Sequence, residues 1–329
     1  MHTSLQLVSD STIKTSSYQE VMTPLIQNVK EVVKNGITYR NKVYPVRLAA
    51  LQGDGLERAS MSGMCSTFTT VSHFDPLSYV TTKTRTNCKK VAALVTEVDQ
   101  RRTRDSYEDD VLRMGKRQRL EATMKSKGTW EKDKGTLLSE FEYSRGLKFA
   151  SPWHEVPNYH VVDRGSLVYC ISHDLYAGIF RTDMARVMVD LSNEGFYTWP
   201  DLQSKFRTKR NELTGDDRQG WYDIIPPKNK FLKLPGNHGC NHLIIRFFAT
   251  LFVNRPPDDK MFKTTAWKMY LQMRRISELV SAKVLSRQNK EELGRKIKEY
   301  LQVINMYKNV YSFGFILSIF LLFNNSSKR

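Results

Sequence analysis

The chain has 329 residues, of which 40% are hydrophobic, so it is long enough to bury one large core or two ordinary ones. Its 51 Lys and Arg against 34 Asp and Glu give a formal net charge of +17, which favours a polyanionic partner such as nucleic acid. Four scattered cysteines exclude the disulfide framework of a small secreted domain, and no secretory signal is visible. The composition therefore predicts a nuclear or cytoplasmic protein that is not secreted.

The first predicted elements are a helix and a strand. Apolar residues recur every three or four positions over residues 19–34, which predicts a helix that ends at Asn35-Gly36. The increasingly apolar run over residues 43–51 predicts a strand covered on both faces. Gly53-Asp54-Gly55-Leu56 follows this strand and places Asp54 at its tip.

Helices dominate the rest of the predicted chain. Charged connections are predicted over residues 83–90 and 101–119, and an exposed loop over residues 123–135. An amphipathic helix with Ser172 as its N-cap is predicted to stop at Gly195. The later predicted elements are a basic helix at 199–213, a proline-containing connection at 216–233, a buried helix at 243–253 and two amphipathic helices at 264–285 and 286–308. The apolar run over 313–323 is too short to span a bilayer, so no membrane partner is expected.

Four features occur in a familiar order along the chain. They are the Gly53-Asp54 turn, the segment 102–107, the motif Cys170-Ile171-Ser172-His173-Asp174-Leu175 and the helix that contains Trp267. Together they resemble the transposase-derived proteins of animal genomes, a branch of the DDE transposases with an RNase H-like core. The resemblance covers residues 5–308 and is carried by the order of the motifs.

The resemblance implies an α/β, predominantly helical fold, in which a partial RNase H-like unit is joined to a helical region. The expected parts are the RNase H-like unit with a basic segment (1–122), an exposed loop or insertion (123–150), the helical region (151–308) and a divergent apolar tail (309–329). Relatives have another acidic motif upstream, a Cys-x-x-Cys pair where this chain reads 76–79, and often Glu where it has Ala177. The missing upstream motif, together with the loss of resemblance after Tyr307, predicts a chain that is truncated at both ends.

The resemblance also implies the roles of two carboxylates. In intact relatives, Asp54 and Asp174 would be catalytic residues that help to hold Mg²⁺ for phosphodiester cleavage. Because the first acidic position is missing, we expect no bound Mg²⁺ and no cleavage here. The residues also allow structural roles, since Asp54 suits a turn and Asp174 suits the first turn of a helix. A zinc site around Cys170 and His173, with His154 and His160, is a further alternative.

Nucleic-acid binding is predicted for four clusters of basic residues, which would neutralise phosphates. The clusters are Lys83, Arg85, Lys89 and Lys90; Arg101, Arg102 and Arg104; Lys116, Arg117 and Arg119; and Lys205, Arg207, Lys209 and Arg210. The sequence thus predicts a truncated transposase-derived protein with residual affinity for nucleic acid, most naturally DNA. The alternatives are a basic helical module that binds a protein, and an active Mg²⁺-dependent transposase if upstream sequence is missing.

Overall fold

The computed structural model describes residues 18–53, 55–64, 77, 101–130, 146–163, 165–221, 233–282 and 286–306. These residues fall into two compact units, the first ending at Val168 and the second beginning at Tyr169. Helices predominate, and the described strands form two sheets of two strands each. The predicted helical class is therefore confirmed. No helix among the described residues is both long and apolar enough to traverse a lipid bilayer, and the apolar run 313–323 lies outside them.

The first unit opens with a helix and a hairpin. Helix α1 (Tyr18–Asn35) ends, as predicted, at Gly36, which adopts a φ of 74°. Strands β1 (Ile37–Tyr39) and β2 (Lys42–Tyr44) then pair in antiparallel register.

The predicted buried strand over residues 43–51 is wrong. Strand β2 is exposed, and residues 45–50 form no regular structure before the short strand β3 (Leu51–Gly53). Pro45 directly follows β2, and a proline cannot donate a hydrogen bond to a strand ladder. Strand β3 pairs instead with β4 (Leu167–Tyr169), next to a hydrogen bond of 2.7 Å from the Leu51 N–H to the Ser166 carbonyl.

Two further helices follow in the first unit, and the longer one corrects the sequence prediction. After α2 (Gly55–Ser62), helix α3 (Arg104–Ser126) occupies most of the predicted charged connection and the start of the predicted exposed loop. Thr103 and Ser106 form a capping box at its N-terminus. The helix is polar on every side, so it has no apolar stripe by which a sequence pattern could reveal it. Residues 131–145 of the predicted loop lie outside the described residues.

The second unit begins with an unusual helix. A π-helix (Ile171–Ile179) runs directly into α4 (Phe180–Asn193), and the chain turns at Gly195 as predicted. The predicted N-cap at Ser172 is wrong, because the N-cap is Cys170, two residues earlier, and Ser172 lies inside the helix. The predicted basic helix is confirmed as α5 (Trp199–Glu212). A short helix, α6 (Gly215–Gly220), replaces the start of the predicted connection, and residues 222–232 lie outside the described residues.

The remaining helices form the core of the second unit. The predicted buried helix is present as α7 (His238–Phe247) with a 3₁₀ continuation (Phe248–Phe252). After a 3₁₀ turn (Lys260–Lys263), the predicted pair follows as α8 (Thr265–Val280) and α9 (Arg287–Met306). Helix α8 packs against α4, α7 and α9.

Candidate functional site

The N-terminal half of α3 is anchored in the first unit. The Tyr107 side chain is fully buried; its hydroxyl donates to the Ser62 carbonyl at 2.6 Å and accepts the Ser151 N–H at 3.0 Å. Arg104 forms a two-point ion pair with Asp163 through Nε and Nη2. These contacts hold the start of the helix while leaving its other end to solvent.

One of the predicted nucleic-acid contacts is part of this anchor. Arg102 Nη1 lies 2.7 Å from Asp110 Oδ2, and both side chains are completely buried. Removal of one partner of a buried ion pair strongly destabilises a protein, because the other charge is left unpaired in a medium of low polarity. The prediction that Arg102 contacts phosphates is therefore wrong: tertiary packing has enclosed the charge.

The C-terminal half of α3 and the residue that follows it form a basic surface. We call residues 113–127 the basic half of α3; they include six Lys or Arg and one Glu. Lys116, Arg119 and Lys127 are exposed and have no ion-pair partner among the described residues. Arg117 is half-buried. Two of the other basic residues pair along the helix, Arg113 with Asp109 at 2.8 Å and Lys125 with Glu121 at 2.6 Å.

The basic residues of α5 are used differently. Lys205 donates to the Leu251 carbonyl at 3.1 Å, and its ammonium lies 5.7 Å from the centre of the Phe252 ring. Lys209 pairs with Glu212 at 2.8 Å and lies 5.5 Å from the centre of the Phe247 ring. Both lysines therefore stabilise the second unit through cation–π contacts, whereas Arg207 and Arg210 are exposed.

The other predicted contacts are divided between the described and undescribed parts of the chain. Arg101 is half-buried at the foot of α3. Lys83, Arg85, Lys89 and Lys90 lie outside the described residues.

Sequence reasoning missed a Glu–His–His cluster beside the anchor of α3. Ligand atoms of Glu108, His154 and His160 all lie within 4.8 Å of one another. The two imidazole rings stack with their centres 3.9 Å apart. Glu108 Oε1 lies 3.3 Å from His160 Nε2 and 3.8 Å from His154 Nδ1. Glu108 is far from both histidines in sequence, so only the close spacing of His154 and His160 hinted at a shared site.

The backbone fixes the tautomer of both histidines. The Val161 N–H donates to His154 Nε2 and the Val162 N–H donates to His160 Nδ1, each at 3.3 Å. A neutral imidazole carries one proton, so each ring proton must lie on the other nitrogen, the one that faces Glu108. Burial lowers the pKa of His154 to about 3 and also lowers the pKa of His160, which keeps both rings neutral.

This arrangement opposes metal binding. A metal would need the lone pairs of the nitrogens that face Glu108, and both ring protons would then have to move towards backbone N–H donors. Histidines that hold metals normally donate their second N–H to an acceptor, which is the reverse of the pattern here. The single carboxylate also does not suit Mg²⁺, which prefers oxygen ligands. The cluster instead fits a carboxylate that accepts a hydrogen bond from the neutral His160, with the neutral His154 beyond hydrogen-bond distance at 3.8 Å.

The two carboxylates assigned to catalysis by resemblance are not brought together among the described residues. Asp174 is buried in the first turn of the π-helix, and its N–H donates to the Cys170 carbonyl at 2.7 Å. No pair of further carboxylate, histidine or cysteine ligands surrounds Asp174 in the described part of the chain. Asp54 lies outside the described residues.

The alternative zinc site is only partly assembled. Cys170 Sγ and His173 Nδ1 are 3.2 Å apart, and the His173 ring lies 5.7 Å from that of His238. These residues do not form a cluster of three ligands among the described residues. His154 and His160 belong to the first unit, whereas Cys170 and His173 belong to the second.

No family model, curated protein or solved structure matches this chain at a significant level. The resemblance to transposase-derived proteins therefore stays a prediction.

Proposed function

We propose that this protein binds nucleic acid through the basic half of α3, and that it is a descendant of a DDE transposase without cleavage activity. The observation that supports binding is the separation of roles along one helix. The first half is held by a buried tyrosine and a buried ion pair, and the second half presents exposed cations that packing does not use.

The charge distribution along α3 favours a polyanion as the partner. Residues 104–112 contain four acidic residues and one basic residue, whereas residues 113–127 contain six basic residues and one acidic residue. Cations near the C-terminus of a helix also interact favourably with its dipole, which accounts for some basic residues there. That effect is confined to the last turn, so it does not account for Lys116 or Arg119.

Descent from a transposase is proposed from the order of the sequence motifs, and the partial RNase H-like unit belongs to the same proposal. Mg²⁺ binding by Asp54 and Asp174 is assigned to intact relatives only. Binding of nucleic acid by this chain should therefore be insensitive to EDTA.

The decisive experiment is a salt titration of binding to a labelled DNA duplex, with charge reversals as variants. Lys116→Glu, Arg119→Glu and Lys127→Glu together should weaken binding about tenfold or more at low salt, because fewer phosphates are neutralised. The dependence of log K on log salt should also become shallower by about one for each lysine or arginine that contacts a phosphate.

A matched control separates the effect of this surface from the effect of the net charge of the protein. Lys260, Lys263 and Lys268 are exposed in the second unit, and their replacement by Glu changes the net charge by the same amount. This control should retain most of the affinity. Equal losses in both variants would contradict the assignment to α3. Wild-type affinity that barely changes with salt would favour the alternative, a basic helical module that binds a protein.

A further inference from the structure

The β1–β2 hairpin has an arrangement that the proposed function does not use. Arg40 and Asn41 form its two-residue turn with φ values of 47° and 58°, the left-handed pair that suits a tight hairpin. Ile37 pairs with Tyr44, and Tyr39 pairs with Lys42. Because paired residues of an antiparallel ladder share a face, these four side chains lie on one face of the hairpin.

This face is exposed to solvent although three of its four side chains are large and mainly apolar. Tyr39 is 57% exposed and Tyr44 is 49% exposed, and every residue of both strands is exposed. A two-stranded hairpin is only marginally stable in isolation. Adjacent exposed apolar side chains on one face generally mark a binding surface. The two tyrosines lie on the diagonal of the ladder, roughly 7–8 Å apart between their backbones.

The charge around the hairpin indicates the kind of partner. Residues 32–53 contain Lys34, Arg40, Lys42 and Arg47 and no acidic residue. A second copy of this face would bring like charges together, which disfavours self-association. The Arg40 guanidinium lies 5.1 Å from the centre of the Tyr39 ring, so a cation accompanies an exposed aromatic face.

We propose that the hairpin binds single-stranded nucleic acid, with bases stacked on Tyr39 and Tyr44 and phosphates beside Arg40 and Lys42. This inference rests on the proposed function and adds a second site to it. Unpaired bases offer the π-faces that exposed tyrosines stack on, whereas a duplex hides them. The basic half of α3 needs only phosphates and serves either form of nucleic acid.

The test uses fluorescence anisotropy to compare the affinity for single strands of about 20 nucleotides, either dT or U, with the affinity for a duplex. Tyr39→Ala with Tyr44→Ala should weaken binding of the single strands about tenfold or more while leaving duplex affinity within about twofold. Tyr39→Phe with Tyr44→Phe keeps the aromatic faces and should retain the wild-type affinity. A preference for U over dT, or the reverse, would identify RNA or DNA as the better ligand.

An independent measurement does not depend on the folding of a variant. Ultraviolet cross-linking of a bromouracil-substituted single strand to the wild-type protein should place adducts on the peptide that contains residues 37–44. Adducts confined to other peptides, or equal effects of the alanine changes on single strands and duplex, would overturn the inference. If the α3 variant loses duplex binding but the tyrosine changes have no effect, only the inference about the hairpin is contradicted. If the wild-type protein binds neither single strands nor duplex, the proposed function is contradicted as well.

Discussion

Two buried ionisable groups show how single residues make the stability of this protein depend on pH. Asp183 is fully buried in α4; Tyr300 donates a hydrogen bond to Asp183 Oδ2, while Oδ1 has no hydrogen-bond partner among the described residues. Burial raises the pKa of Asp183 to about 6, although the bond from Tyr300 favours the charged form. His154 in the first unit shows the opposite shift, because burial there disfavours the imidazolium.

Asp183 should destabilise the second unit as the pH rises. Its folded pKa lies above its ordinary value of 3.8, so its contribution is fully present below pH 3.8 and is lost as the pH rises through about 6. Relative to Asp183→Asn, the wild type should lose about 2 kcal/mol of unfolding free energy between pH 4 and 7. Urea unfolding of both proteins, read from hydrogen exchange in α4 and α9, measures this difference. The exposed Asp258→Asn change is the control, and a pH-independent difference for Asp183→Asn would contradict the prediction.

His154 should destabilise the first unit as the pH falls. Its folded pKa of about 3 lies below the ordinary value of 6.5, so its stabilisation is present above pH 6.5 and is lost towards pH 3. Protonation of His154 Nε2 would also replace the acceptor of the Val161 N–H with a second N–H donor. His154→Gln should therefore weaken the acid dependence of the first unit by up to about 1.4 kcal/mol per pH unit.

Hydrogen exchange of residues 152–163 after incubation in urea at pH 4.5 and pH 7 reports this change locally. His242→Gln is a suitable control, because it removes a histidine of the second unit whose pKa burial also lowers. It should leave the acid dependence of residues 152–163 unchanged. An acid dependence that is the same in wild type and His154→Gln would show that His154 is not the group responsible.

At the scale of elements, α3 combines a well-defined start with a weak interior. The capping box and the Tyr107 anchor stabilise its first turns, but Gly115, which is half-buried, lies at the midpoint of the helix. Nothing lies within 4 Å of the position that a Cβ would take at Gly115, so a side chain there meets no steric obstacle.

Gly115→Ala should raise the unfolding free energy by about 0.5–1 kcal/mol, because Ala reduces the entropy that the helix loses on folding. Gly36→Ala is the contrasting control: its φ is 74°, and a Cβ would lie 2.6 Å from the Tyr44 carbonyl oxygen. That change should destabilise the protein. Urea unfolding followed by circular dichroism measures both, and a destabilising Gly115→Ala would show that α3 bends or packs at this position.

At the scale of the whole molecule, affinity for nucleic acid and cleavage of it are separable. Affinity needs exposed cations, which the basic half of α3 presents. Cleavage by two metals needs several carboxylates that converge on shared ions, and Asp174 lacks such a set among the described residues.

We therefore expect no Mg²⁺-dependent nicking of supercoiled plasmid by the purified chain above the level of an Asp174→Asn variant. The same preparation should bind the plasmid, so that an absence of nicking does not reflect a failure to bind DNA. Nicking by the wild type that is lost in Asp174→Asn would support the alternative of an active transposase.

Sequence alone determined the helices with an apolar stripe and the sign of the net charge. The α1, α8 and α9 helices were predictable because their apolar residues repeat at the period of a helix turn. Helix α3 was not, because capping and local ion pairs stabilise it without such a stripe.

Only the tertiary structure decided which charges are available. Arg102 and Lys116 are both basic residues in the same predicted connection, yet one is enclosed with Asp110 and the other is exposed. Likewise, Glu108 meets His154 and His160 only because α3 packs beside a later segment. Burial and partnership depend on residues distant in the chain, so a local pattern of residue types carries no information about them.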